Sequence, residues 1–240
     1  MTKAESLAVK KILTAAHEDY LKAIYMLHAA GIEVSNSALA NYLEVSPASA
    51  TNMVKKLAEL ELVTYTPYQS ATLTPTGERI ALEVLRHHRL VELYLHEKLK
   101  LPWDQVHDEA ERLEHVISET LEDAMAAALN DPTIDPHGDP IPSKDGRIEM
   151  VEGSPLSIAE LNRPYRIVRV LLQDPERLSY LGMLGLYPNA TVTLLKRAPF
   201  SGPLLIDIAG EHHALAHDMA ESLLVAPDEP SDETNDHANL

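Results

Sequence analysis

Apolar residues recur at helical spacing over most of the first 130 positions and at alternate positions in several shorter runs. The spacing predicts a first helix from about Ala15 to Ala30, with Thr14 as its cap and Gly31 as its stop. A short helix over SNSALANYL and a longer one over PASATNMVKKLAELE follow, separated by the brief turn EVS. LVTYT and ATLT read as strands around the turn PYQS. Thr74 and Pro75 then supply a cap and a first-turn proline for a long helix, TGERIALEVLRHHRLVELYLHEKL. Beyond LPW, one further helix is expected from about Gln105 to Leu129, with Val106, Ala110, Leu113, Val116, Ile117 and Leu121 as its apolar stripe.

The second half reads differently. Residues 130–146 are rich in Pro, Gly and Asp and are expected to be loop. Strand-like runs YRIVRVLL, TVTLLKR, LLIDIA, HHALAH and SLLVA surround one short helix, DPERLSYLGMLG, and that pattern suits a small β-barrel. The expected architecture is mainly α with a small β component. It comprises a winged helix-turn-helix at 1–76, a helical domain at 77–146, a linker at 147–162, an SH3-like barrel at 163–227 and a disordered acidic tail at 228–240.

Two short helices joined by a tight turn, then a hairpin, point to the major groove of DNA. The second helix of the pair begins with Ser46, Ala48, Ser49, Thr51 and Asn52, small or hydroxylated side chains with one amide able to read adenine. Lys55 and Lys56 follow where phosphates are expected, and Asn36 in the preceding helix is grouped with them. The alternative is a helical scaffold that contacts protein. The wing, PYQSA, carries no basic residue, so its hold on phosphate would be neutral hydrogen bonding.

Charge changes this picture only in part. The net charge of −17 argues against nucleic acid, yet residues 1–78 hold 6 Lys and Arg against 8 Asp and Glu, and the remaining 162 hold 14 against 29. The acidity therefore lies downstream of the DNA-binding candidate. There is no cysteine, which excludes disulfides, zinc–thiolate sites and thiol catalysis. No apolar run resembles a signal peptide or a membrane span, so a cytoplasmic protein is expected.

The acidic excess has a focus in HDEAERLEH. At about 100° per residue, His107, Glu111, Glu114 and His115 fall within an arc of roughly 100° beside the apolar stripe. HHRLVE adds His88 and Glu92 one turn apart, and HEDYL adds Asp19 with Glu18 beside it. Nitrogen and oxygen donors without sulfur suit manganese or ferrous iron. Two alternatives stand beside this reading. One is a surface of histidine–carboxylate ion pairs. The other is a binuclear metallohydrolase, although no phosphate-cradling loop or nucleophile motif accompanies the cluster.

HEDYLKAIYML, the helix-turn-helix, LTPTGERIA, HHRLVE, VHDEAERLEHVISE and DPHGDPIP resemble the diphtheria toxin repressor family of metal-dependent regulators, and more particularly its manganese-responsive branch. The resemblance covers about residues 15–142. The C-terminal part resembles, more loosely, the SH3-like domain of longer members and of ferrous-iron transport accessory proteins.

The resemblance implies a regulatory metal site at Asp19, Glu111, Glu114 and His115. The iron-type branch has methionine and cysteine where this chain has Asp19 and Glu111, which implies Mn2+, with Fe2+ as the alternative. It implies a second site at His88, Glu92 and His107, completed from the SH3-like domain by Asp174 or, failing that, Glu176. Arg177 stands where a neutral ligand is expected. Lys22 stands where the two-metal manganese regulators carry an acid. The implied protein is a homodimer, joined through residues 80–145, that binds a palindromic operator and represses metal-uptake genes. Apo, repulsion among Asp19, Glu111 and Glu114 is expected to leave the first helix free to drift.

Overall fold

The computed structural model describes residues 13–66 and 70–228. They divide into two compact units. One runs to Leu99 and adds Asp108–Thr133 and Ile141–Glu149; the other takes Lys100–His107, Ile134–Pro140 and the chain from Met150 onward.

The first unit is built on capped helices. α1 (Ala15–Ala29) begins after Thr14, whose backbone N–H donates to His17 Nδ1 at 3.0 Å, and Gly31 follows its end with φ +70. α2 (Asn36–Tyr42) and α3 (Pro47–Glu59) are opened by Ser35 and Ser46, whose hydroxyls accept from Ala38 N and Ser49 N. β1 (Val63–Thr64) and β2 (Thr72–Leu73) pair antiparallel. The expected wing tip falls at 67–69, outside the described residues. α4 (Pro75–Glu97) starts with Thr74 as cap and Pro75 in its first turn. Its start presses so closely on the hairpin that a Cβ on Gly77 would lie 2.0 Å from the Leu62 carbonyl oxygen, so only glycine fits. Leu21, Ile24, Leu39, Val54, Leu57 and Ile80 form the core beneath the helix-turn-helix.

The expected single helix over 105–129 is instead three pieces. α5 (Val106–Leu113) passes into a 3-10 turn, Glu114–Val116; the backbone is extended at Ile117, and α6 (Glu119–Ala128) restarts with Ser118 as its cap. The break has a physical cause. His87 Nδ1 holds the Glu114 carbonyl at 3.0 Å, and Ser118 Oγ accepts from Leu121 N, so both chain ends find partners outside a continuous helix. The expected apolar stripe is split accordingly. Val106 and Ala110 are fully buried, whereas Leu113, Val116 and Leu121 are 39%, 74% and 49% exposed.

The second unit is a six-stranded antiparallel sheet of order β3-β8-β4-β5-β6-β7. Its strands are β3 (Ser154–Pro155), β4 (Pro164–Val170), β5 (Thr191–Arg197), β6 (Leu204–Ile208), β7 (Glu211–Leu215) and β8 (Leu223–Pro227). Irregular registers at Ile167/Arg169 and Leu194/Lys196 bend the long strands, as bulges do. The sheet curls around Ile167, Leu178, Leu181, Val192, Leu194 and Ile206. α7 (Pro175–Met183) lies where a short helix was expected. Two expectations are corrected. β3 and the 3-10 turn Leu156–Ile158 lie inside residues 147–162, so that stretch is not all linker. HHALAH does not stay a strand to its end, since His217 opens α8 (His217–Glu221).

Trp103 belongs to this unit. Its ring stacks on His137 at 5.5 Å and meets Tyr187 at 4.9 Å, and its carbonyl is bonded by His137 Nε2 at 3.0 Å. Residues 100–107 and 134–140, read from sequence as part of a domain at 77–146, thus pack with the C-terminal module. The acidic tail lies outside the described residues from 229 onward.

Candidate metal centre

The centre lies within the first unit, where α1 meets α4 and the turn after α5. α1 presents Asp19 and, three residues on, Lys22; α5 presents Glu111 in its last turn; the 3-10 turn presents Glu114 and His115. His115 Nε2 lies 2.8 Å from Asp19 Oδ1 and 3.3 Å from Glu114 Oε1. Ligand atoms of Asp19, Glu114 and His115 lie within 4.8 Å of one another, as do those of His88, Glu111 and Glu114. Glu114 is shared by both sets and is buried. Of the four residues expected at the regulatory site, Asp19, Glu114 and His115 therefore form one group, and Glu111 meets Glu114 in the adjoining one.

Charge in the cluster is balanced by the protein itself. Lys22 Nζ donates to Glu111 Oε1 at 2.6 Å and to Glu114 Oε1 and Oε2 at 2.7 and 3.0 Å. Burial works against its charge, but the Glu114 and Glu111 carboxylates outweigh it and raise its pKa. His115 also donates from Nδ1 to Glu18 Oε2 at 2.6 Å. Hydrogen bonds to Asp19 and then Glu18 outweigh burial and hold the imidazole up at about 10. His88 lies between Glu114 Oε2, 2.5 Å from Nδ1, and Glu92 Oε1, 3.0 Å from Nε2. Burial opposes its charge, yet Glu92 and the bonds to Glu114 and Glu92 raise it to about 9. The carboxylates expected to repel one another are not bare, since Lys22, His88 and His115 each lie within hydrogen-bond reach of them.

A supporting layer stands behind Glu114. His87 holds the Glu114 carbonyl from Nδ1 and faces Glu122 Oε2 from Nε2 at 3.3 Å. Arg86 Nε donates to Glu122 Oε1 at 2.5 Å, and Arg86 Nη1 donates to the Pro142 carbonyl at 2.7 Å. Burial works against the Glu122 charge, but His87 and Arg86 prevail and pull its pKa down to about 2. Sequence reasoning missed this layer. Its only signal was the doubled histidine in HHRLVE, of which His88 alone drew notice.

His88 and Glu92 are together on α4 within the first unit, while His107 and Asp174 belong to the second. Asp174 caps α7 by accepting from Arg177 N at 2.9 Å. On the helix-turn-helix, Ser46, Ala48, Ser49, Asn52, Lys55 and Lys56 are exposed along α3. Asn36 and Thr51 are braces. Asn36 Nδ2 donates to Thr51 Oγ1 at 3.1 Å and to Tyr65 Oη at 3.2 Å, and Thr51 Oγ1 donates to the Pro47 carbonyl.

The donor chemistry fits a divalent cation. Imidazole nitrogen and carboxylate oxygen converge, with no sulfur, on a cluster that already gathers cations. A winged helix-turn-helix joined to such a centre defines a metal-dependent DNA-binding regulator. Comparison with known proteins agrees. Residues 12–71 match the N-terminal DNA-binding domain of iron-dependent repressors, 74–143 their metal-binding and dimerisation domain, and 154–227 the FeoA domain. The iron-dependent repressor IdeR of Mycobacterium leprae (strain TN) is 32% identical over 228 residues, covering 87% of this chain and 95% of IdeR. A manganese-dependent transcriptional repressor solved in complex with manganese matches with TM-score 0.81 and 34% identity, over 88% of this chain and 99% of that one. The manganese regulator SloR matches with TM-score 0.70 and 30% identity, over 88% and 98%.

This chain belongs to the diphtheria toxin repressor family of iron-dependent repressors. It is a metal-dependent transcriptional repressor that binds DNA, forms a homodimer and is not an enzyme, which sets aside the metallohydrolase alternative. Among the described residues, no helix is long and apolar enough to cross a membrane.

Proposed function

We propose that this repressor responds to manganese and binds a palindromic operator, regulating genes of metal transport. The observation that carries the reading is the donor set. Asp19, Glu111, Glu114 and His115 offer only oxygen and imidazole nitrogen, and hard oxygen ligands hold manganese by charge. A bound divalent cation supplies the charge that fastens these carboxylates to one another. Asp19 rides on α1, whose Leu21 and Ile24 pack in the helix-turn-helix core, so fixing Asp19 to Glu114 and His115 fixes the carriage of α3. A palindrome requires the two α3 helices of a dimer at a set separation, about one helical turn or a multiple of it. The dimer forms through residues 80–145, where Leu113, Val116 and Leu121 are exposed in the single chain.

Iron is the second reading, favoured by the similarity to IdeR across almost its whole length. The deciding experiment replaces Asp19 by Met and Glu111 by Cys, the softer ligands of the iron-type branch. Operator affinity is then measured at matched free concentrations of manganese and ferrous iron. The manganese reading expects the double variant to lose activation by manganese while keeping activation by iron. Equal activation by manganese in parent and variant overturns it.

A further inference from the structure

The cluster contains two adjoining donor sets that share Glu114: Asp19, Glu114 and His115 on one side, and His88, Glu111 and Glu114 on the other. Lys22 bonds both carboxylates of the second set, one of which, Glu114, is shared with the first. Its ammonium is within hydrogen-bond reach of both of that set's carboxylates, at 2.6 Å from Glu111 and 2.7 Å from Glu114. An ammonium has three protons, and the three contacts to Glu111 Oε1, Glu114 Oε1 and Glu114 Oε2 use all of them. The side chain is only 10% exposed and leaves α1 one turn after Asp19, so its charge is covalently delivered to the same cluster.

We infer that Lys22 is a tethered monocation that fills the second of these sets, so that the cluster takes one divalent ion and not a carboxylate-bridged pair. The inference rests on the proposed manganese response and deepens it. A second divalent ion at His88, Glu111 and Glu114 would compete with Lys22 for the same carboxylate oxygens. It would also force a buried ammonium against two dications. One ion at Asp19, Glu114 and His115, with Glu111 beside it, shares Glu114 with Lys22 and leaves the ammonium its bond to Glu111. The lysine thus limits the number of metal ions this cluster can hold.

Two manganese ions bridged by carboxylate lie about 3.5–4 Å apart, close enough for magnetic exchange, which electron paramagnetic resonance separates from isolated manganese. The test titrates the full chain with Mn2+ and records bound ions and the spectrum for the parent, Lys22→Met and Lys22→Glu. Circular dichroism checks each fold, and Lys22→Gln replaces a variant that unfolds. The expected result is an uncoupled spectrum for the parent at saturation. Both variants should take one more ion per chain and show an exchange-coupled pair, tightest in Lys22→Glu, which adds a ligand. A coupled pair in the parent overturns the inference alone, as do variants that remain uncoupled at saturation. A parent that binds no manganese overturns the proposed function and this inference with it.

Discussion

His115 donates to Glu18 from Nδ1 at 2.6 Å while its Nε2 faces Asp19 at 2.8 Å. One residue of α1 thus orients the ring that its neighbour in sequence meets as a partner. Fixing the proton on Nδ1 directs the Nε2 lone pair of the neutral ring towards Asp19 and Glu114, the arrangement by which carboxylates tune metal-binding histidines. Glu18→Gln should weaken manganese binding by about 10- to 100-fold. Calorimetry measures this, with Glu33→Gln, on an exposed part of the chain, as the control. Unchanged affinity would remove Glu18 from the support of the centre.

Metal uptake should release protons. With His115 at about 10, its ring is imidazolium at pH 7.5 and must lose a proton to become a ligand. Its raised pKa means that the ion pair stabilises the metal-free fold fully below the ordinary histidine value of 6.5, and that this support fades as pH rises through about 10. Calorimetric titrations in buffers of different ionisation enthalpy should show at least about one proton released per manganese at pH 7.5. No release would mean that His115 is not a ligand.

Glu122 should contribute to the acid stability of the helical domain. His87 and Arg86 hold it at about 2 against an ordinary 4.5, so it stabilises the fold above 4.5 and that support is lost as pH falls towards 2. Glu122→Gln should cost about 3 kcal/mol at pH 7, since it leaves Arg86 without its buried counter-charge. The difference from the parent should narrow between pH 4.5 and 2. Urea unfolding across that range measures it, and a constant difference would place the effect elsewhere.

On α3, Asn52 and Lys56 are exposed but should act differently. Asn52→Ala should cost on the order of 1–3 kcal/mol in operator binding and relax preference at one base pair per half-site. Lys56→Ala should weaken binding to every sequence and flatten its salt dependence. Binding measured on operator variants across a salt series separates the two, and an Asn52→Ala that weakens all sequences alike would shift the assigned register of α3.

Much of this architecture was legible because local signals agreed. Ser46 with Pro47 and Thr74 with Pro75 mark helix starts that sit where they were read. What was not legible depended on distant partners. The end of α5 at Leu113 is set by His87, a residue 27 positions earlier than the carbonyl it holds, and periodicity within 105–129 carries no trace of it. That Asp19, Glu111, Glu114 and His115 would lie near one another was anticipated from motif resemblance, yet the bonds of Lys22 to Glu111 and Glu114 were not, because charge pairing across 89 and 92 residues follows only from packing. Likewise, Asn36 was grouped by sequence with the DNA-contacting residues, and its bonds from Nδ2 to Thr51 and Tyr65 follow only from packing.

In the proposed function, metal held at Asp19, Glu111, Glu114 and His115 controls the grip on DNA. The most direct measurement is the affinity of the full chain for a fragment from its own gene's upstream region, with saturating manganese and with chelator, for the parent and for His115→Ala. Binding should be at least about 10-fold tighter with manganese in the parent, equivalent to about 1.4 kcal/mol of coupling, with no metal effect in His115→Ala. Equal affinity with manganese and with chelator in the parent would contradict it.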